Sequence, residues 1–295
     1  MSALDTQHEL PAAHGGTVFD IGYQRYTGRR EGRSRAFKAV FRDGVRIALG
    51  LGRGPRAKVL PWAFIVLLAG IAVIMALIVG AVGRLGGAEA TANLPSHGDF
   101  YGIAAIILFG RDGTINLYLV RPLTGADYVA ARWAAFTAVT IAAAWFPQAI
   151  LFVALSMDAP APLAYLSDHW LDVPRFLAAG VVMAAYTTTL AMLTASFTTR
   201  RAYASVFLVG LFVITTPFTA GLASEIEGPV GQWISMFNLT NIPVHVNDVI
   251  FGEPSALTED APAGTLPDAL LVAWYLAWTV IPGAILWGRY RRLTP

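Results

Sequence analysis

The sequence contains no cysteine, which excludes disulfides, thiolate metal sites and a cysteine nucleophile. It has only two lysines, Lys38 and Lys58, and neither follows a glycine. A phosphate loop needs Gly-Lys-Ser/Thr so that a backbone nest and a lysine hold the phosphates. This chain is therefore expected to carry no ATP site of its own. A Gly-x-Ser-x-Gly elbow and a His-Glu-x-x-His helix are also missing, and no residue is assigned a catalytic role. Charge is scarce as well. Only 14% of the 295 residues are charged and 56% are hydrophobic. Soluble domains carry about 25% charged residues. The mean hydropathy of +0.56 makes lipid the bulk solvent.

The apolar residues gather into runs. A spanning helix needs roughly 20 apolar residues. Five stretches qualify, Pro61–Gly83, Trp133–Met157, Phe176–Thr199, Ala202–Ala223 and Ala269–Gly288. A sixth, centred on Phe100–Gly110, reaches useful length when it starts near Leu94. The charges fit six crossings. Of the 21 Lys and Arg, 19 fall in segments that six spans place on one side, while 12 of the 19 acids fall on the other. The positive-inside rule then predicts an all-α membrane protein of six transmembrane helices with both termini cytoplasmic, as in a multi-pass plasma-membrane or cell-inner-membrane protein. The predicted organisation is a cytoplasmic segment over 1–33, an amphipathic helix and linker over 34–60, and the six-span domain over 61–295.

Ahead of the first span, Phe37, Val40, Phe41, Val45, Ala48 and Leu49 recur at spacings of three and four, with Arg35, Lys38, Arg42 and Arg46 on another face. This predicts a basic amphipathic helix in the inner headgroup layer, where membrane lipids are the partner. Gly50, Gly52, Gly54 and Pro55 end it. The charges are spaced to face lipid and no binding module surrounds them, so nucleic acid is not an expected partner. The largest outer segment, 224–267, contains Val230–Gly252, too polar to span and too apolar for a free loop. It reads either as an interfacial or re-entrant element or as an ordered loop packed on the bundle.

Two of the five histidines stand in loose outer pairs, His97 with Asp99 and His169 with Asp168. Neither supplies four well-placed ligands, so no metal site is assigned. Midspan acids are almost absent, which counts against an ion-coupled carrier. Such carriers also use broken helices, and Pro147, Pro217 and Pro282 sit where they would break theirs.

Between the second and third runs lies "RDGTINLYLVRPLTGADYVAAR". The "DGTINLYLV" part is amphipathic and too polar to span, and Thr124-Gly125-Ala126-Asp127 reads as a helix entry. Leu-Tyr-Leu-Val beside charges reads as a docking surface. This stretch resembles the loop of the type-two ABC exporter permeases, an acid-x-Gly-Thr, a short leucine-rich helix and an Arg-Pro-Leu/Val-Ser/Thr step into the third span. The matching positions are Asp112, Gly113, Thr114, Leu117, Leu119, Arg121, Pro122, Leu123 and Thr124. "TTLAMLTASFTTRRAYAS", Thr188–Ser205, is similar to that family's fourth-span ending. The long basic front and the long outer segment depart from the pattern.

The resemblance implies a permease, not itself an enzyme, that works with a second permease copy in a homodimer or heterodimer. Separate ABC ATPase subunits would bind ATP and Mg, and residues 112–124 would dock on them. Arg121 would make a polar contact to that partner or anchor to headgroups. Tyr23, Arg25 and Tyr26 would make a second ATPase contact, or the front segment would be an anchor only. Thr187, Thr188 and Thr194 of the fourth span and Thr215, Thr216 and Pro217 of the fifth would line a path for an amphipathic or hydrophobic cargo, or would join helices. Two other classes stay open: a lipid-modifying membrane enzyme using His169, His245, Asp248 and Glu253, and a membrane anchor for a partner protein.

Overall fold

The structure, a computed structural model, describes residues 32–52, 54–91, 124–197, 201–226, 229–252 and 267–292. All belong to the unit Gly32–Pro295. The predicted second run at Phe100–Gly110 lies outside the described residues. Among those described there is no strand.

The basic amphipathic stretch forms α1, Arg33–Ala48. Its stop is the predicted one. Leu49 caps it, and Gly50 and Gly52 take φ of 68° and 80°, the left-handed region that only glycine enters without strain. Helix α2, Pro55–Thr91, starts on a proline, whose missing N–H has no partner to lose at a first turn. Then come α3, Gly125–Asp158; α4, Pro162–Asp168; α5, Asp172–Ser196; and α6, Arg201–Glu225. A pair of short helices follows, α7, Pro229–Ser235, and α8, Ile242–Phe251, and the last helix is α9, Asp268–Arg291. Five of these, α2, α3, α5, α6 and α9, are long and apolar enough to cross a membrane. Pro147, Pro217 and Pro282 lie inside continuous helices.

The helices are buried very unevenly. Two-thirds (67%) of the apolar window of α5 is buried inside the protein, against 17% for both α6 and α9. Helix α5 packs on α3, α6, α8 and α9, whereas α2 packs on α3. Small residues allow the close approaches, as in Ala72 and Ala76 of α2 and Ala143 and Ala144 of α3, all in one core cluster. Across the helices, aromatic donors reach backbone carbonyls. Trp145 donates to Leu177 O at 3.0 Å, Tyr275 to Val182 O at 2.9 Å, Tyr186 to Leu239 O at 2.9 Å and Trp274 to Met236 O at 2.8 Å.

The last two of those bonds hold the segment between α6 and α9. Helix α7 doubles back along the end of α6, so close that a Cβ on Gly231 would overlap the carbonyl of Ile226. The turn between α7 and α8 reaches Thr216, whose hydroxyl meets Asn238 Oδ1 at 3.3 Å and Thr240 Oγ1 at 3.0 Å. Thr216 is nine residues before the end of α6 at Glu225, or about 14 Å along it at 1.5 Å per residue. Helix α8 is buried from Ile242 to Asp248 against α5 and α9. The segment thus folds back into the bundle as a helical hairpin, and is not a loop laid over it. Asn238, in the Asn-Leu-Thr triplet, is only 4% exposed.

Two ends of the bundle are defined by contacts. At one end α1 meets the start of α3 and the end of α9, and Arg289 of α9 stacks its guanidinium over Phe197, just after α5, at 5.0 Å. At the other, Arg84 near the end of α2 pairs with Asp158 at the end of α3. Helices α2 and α3 therefore run in the same direction. Tyr186→Phe leaves the Leu239 carbonyl without this donor and is expected to cost about 1 kcal/mol, read as a lower thermal midpoint in detergent. Gly231→Ala, which must push backbone against backbone, should lower it further.

Candidate functional site

The predicted docking element ends at Thr124, and there the described structure resumes. Thr124 is the N-cap of α3, with extended backbone (φ −71°, ψ 158°). Its hydroxyl accepts from Asp127 N–H at 3.2 Å, and Asp127 Oδ2 accepts from Thr124 N–H at 3.2 Å. This reciprocal capping box satisfies two of the four orphan N–H groups of a helix start. The sequence reading of Thr124–Asp127 as a helix entry is therefore met atom for atom. One position further, Gly125 lies so close to the Tyr290 carbonyl of α9 that any side chain would overlap it.

Asp127 has a second role. Arg33, the first residue of α1, forks onto it, Nε to Oδ2 at 2.8 Å and Nη2 to Oδ1 at 2.5 Å. The first turn of α1 has no acid and its N-cap Gly32 offers no side chain. Helix N-termini carry partial positive charge, so a lone arginine there is poorly placed. Asp127 supplies the missing negative charge from another helix. The arginine is 69% exposed, so the pair sets geometry more than stability.

Two turns along α3, Arg132 is only 3% exposed. Its Nη2 donates to Asp43 Oδ2 of α1 at 2.7 Å, its Nε donates to the Tyr128 hydroxyl at 3.1 Å, and its guanidinium lies 5.4 Å from the Tyr128 ring centre. The reason is Gly44. A Cβ there would come within 2.6 Å of Ala135 Cβ, so glycine lets α1 sit low enough on α3 to cover Arg132. Val40, Tyr128, Val129, Met192, Leu286 and Tyr290 close an apolar cluster beneath. The apolar face of α1, predicted to lie on lipid, thus has protein as its partner at Val40 and Gly44.

The other predicted site residues are placed as follows. Asp112, Gly113, Thr114, Leu117, Leu119, Arg121, Pro122 and Leu123 lie outside the described residues, as do Tyr23, Arg25, Tyr26 and Glu253. The six path residues do not converge on one space within the chain. Thr187 is buried and bonds back to Met183 O at 2.9 Å, and Thr188 is 1% exposed. Thr215 bonds back to Phe212 O at 3.3 Å, Thr216 joins the hairpin, and Pro217 is exposed. Thr194 lines a cavity, with its hydroxyl bonded to Leu190 O at 2.8 Å. Helical threonines bonded this way present methyls, not donors. His169 is exposed and stacked on Tyr165, while His245 and Asp248 are buried in α8. No group of three or more His, Asp or Glu able to hold a metal occurs among the described residues.

Sequence reasoning missed Gly44, Arg132 and the Arg33–Asp127 fork. A glycine within a regular amphipathic period was the one available signal. No family model and no curated protein matches the chain. Thr124→Ala should cost about 1 kcal/mol and Thr124→Asn should recover most of it. Gly44→Leu should cost about 1–3 kcal/mol by overpacking and release α1 from α3. Cysteine pairs placed at Phe37 and Trp133 would report that release as lost cross-linking.

Proposed function

We propose that the chain is the membrane-spanning permease of an ATP-driven exporter similar to the type-two ABC class. It is powered by separate ATPase subunits docked on residues 112–124. The observation that carries this is where that segment ends. Thr124 and Asp127 tie its last residue to α3, Arg33 ties the same carboxylate to α1, and Gly125 rests on the end of α9. A push on the segment would enter three helices at one joint, the coupling such a permease needs. A surface anchor for a partner has no use for this joint.

The directions of the helices support a sixth crossing. Arg84 pairs with Asp158, so α2 finishes beside the finish of α3. The chain from Thr91 must then return to the opposite end to begin α3 at Gly125, and residues 92–123 have the length to do so. The charges at the two ends support cytoplasmic termini. Arg33, Arg35, Lys38, Arg42 and Arg46 of α1, Arg289 and Arg291 of α9 and Arg292 just after it share one end. Asp158, Asp172, Glu225 and Asp268 share the other. The exposed apolar faces of α2 and α6 are available to a second permease copy, and the cargo is amphipathic or hydrophobic.

Co-purification with the ATPase encoded beside it should give a stable complex with ATP turnover. Absence of any such complex would sink the proposal. Arg121→Ala combined with Pro122→Gly should abolish stimulated ATP turnover while membrane insertion is unchanged. Removing residues 18–30 should weaken the complex, and a loss of insertion alone would make that segment an anchor.

A further inference from the structure

The three helices with the most unequal burial, α5, α6 and α9, enclose an open-sided cavity of about 850 Å³. None of its 14 lining residues is charged, and five are aromatic: Phe197, Tyr203, Phe207, Trp274 and Trp278. Its polar atoms are in part already engaged, Thr194 with Leu190 O and Trp274 with Met236 O. Water or a polar solute entering would lose hydrogen bonds that the wall does not replace. Hydrocarbon loses none.

The cavity also has a length and a polarity. Its wall on α9 runs from Ile285 to Trp274, eleven residues apart, or about 16 Å. One leaflet of a bilayer is half of a hydrocarbon core of about 30 Å. The cavity begins at the basic end, where Phe197 forms its rim. Over that ring, at 5.0 Å, sits the guanidinium of Arg289. A single apolar slot one leaflet deep, with a cation above its mouth, is the shape of one phospholipid chain below its phosphate.

We infer that this cavity binds an acyl chain of an anionic phospholipid from the leaflet at the basic end, with Arg289 contacting the phosphate. The aromatic rim holds the chain, and Arg289 selects the headgroup charge. The site needs only that the chain lies in a membrane, so it stands or falls separately from the exporter reading. It joins α6, otherwise thinly packed, to α5 and α9 through lipid.

The full chain is reconstituted in vesicles of equal phosphatidylglycerol and phosphatidylcholine with brominated chains, extracted in mild detergent, washed and assayed for retained phospholipid. The wild type should keep a single phospholipid per chain, enriched in phosphatidylglycerol, with persistent quenching of tryptophan fluorescence. Ala277→Trp fills the slot and should remove both the lipid and the quenching. Arg289→Gln, at an exposed position, should keep the fold and lose the phosphatidylglycerol preference about fivefold, with Arg289→Lys restoring it. A wild type that retains no phospholipid after washing overturns the site. So does an Arg289→Gln chain that keeps the full preference.

Discussion

Helix α3 is too long for the membrane it crosses. Its 34 residues make about 51 Å of helix, against about 30 Å of hydrocarbon. Its first turns are the platform on which the rest of the basic end is built. Tyr128 and Arg132 sit on it, and α1 lies across it with Gly44 against Ala135. The end of α9 is pinned to it at Gly125. Burying an arginine is costly unless it is paired and hydrogen-bonded. Tyr128 of its own helix supplies one hydrogen bond to Arg132, but the ion pair with Asp43 forms only when α1 is seated, so the charge favours the seated state over a loose one.

Within the bundle another rule holds. Lipid competes for no hydrogen bonds, and helices there associate by close packing and by donors that cross between them. The donors here are mostly indole and phenol groups, and most of their acceptors are backbone carbonyls. Each such bond leaves both helices apolar outside. The same logic explains the hairpin of α7 and α8. Its turn is irregular backbone at depth, tolerable only where protein covers it, and Tyr186, Trp274 and Thr216 meet its carbonyls and side chains.

What could be read from the sequence was local. The stop of α1 at Gly50 and Gly52 follows from glycine and left-handed backbone, and the start of α3 follows from a Thr-x-x-Asp box. The five apolar helices followed from length and composition, and only their ends moved. The long-range pairs were not legible. Arg132 and Asp43 are 89 positions apart, and an arginine beside a basic loop looks the same in sequence whether it faces water or a buried tyrosine. The span threonines read either as a path or as glue between helices, and the sequence does not say where each hydroxyl turns: Thr187, Thr194 and Thr215 bond to their own helices, while Thr216 also joins the hairpin.

The seat of α1 has a consequence in time. Its docking platform is encoded about ninety residues after it, and ribosomes add about 5–20 residues per second. For several seconds during synthesis α1 has no α3 to rest on, and its apolar face is open. The row of Arg35, Lys38, Arg42 and Arg46 then serves a second purpose. A basic face of this kind suits an anionic surface as a resting place until α3 arrives and Gly44 meets Ala135. The basic face is thus a waiting berth during assembly as well as a marker of sidedness.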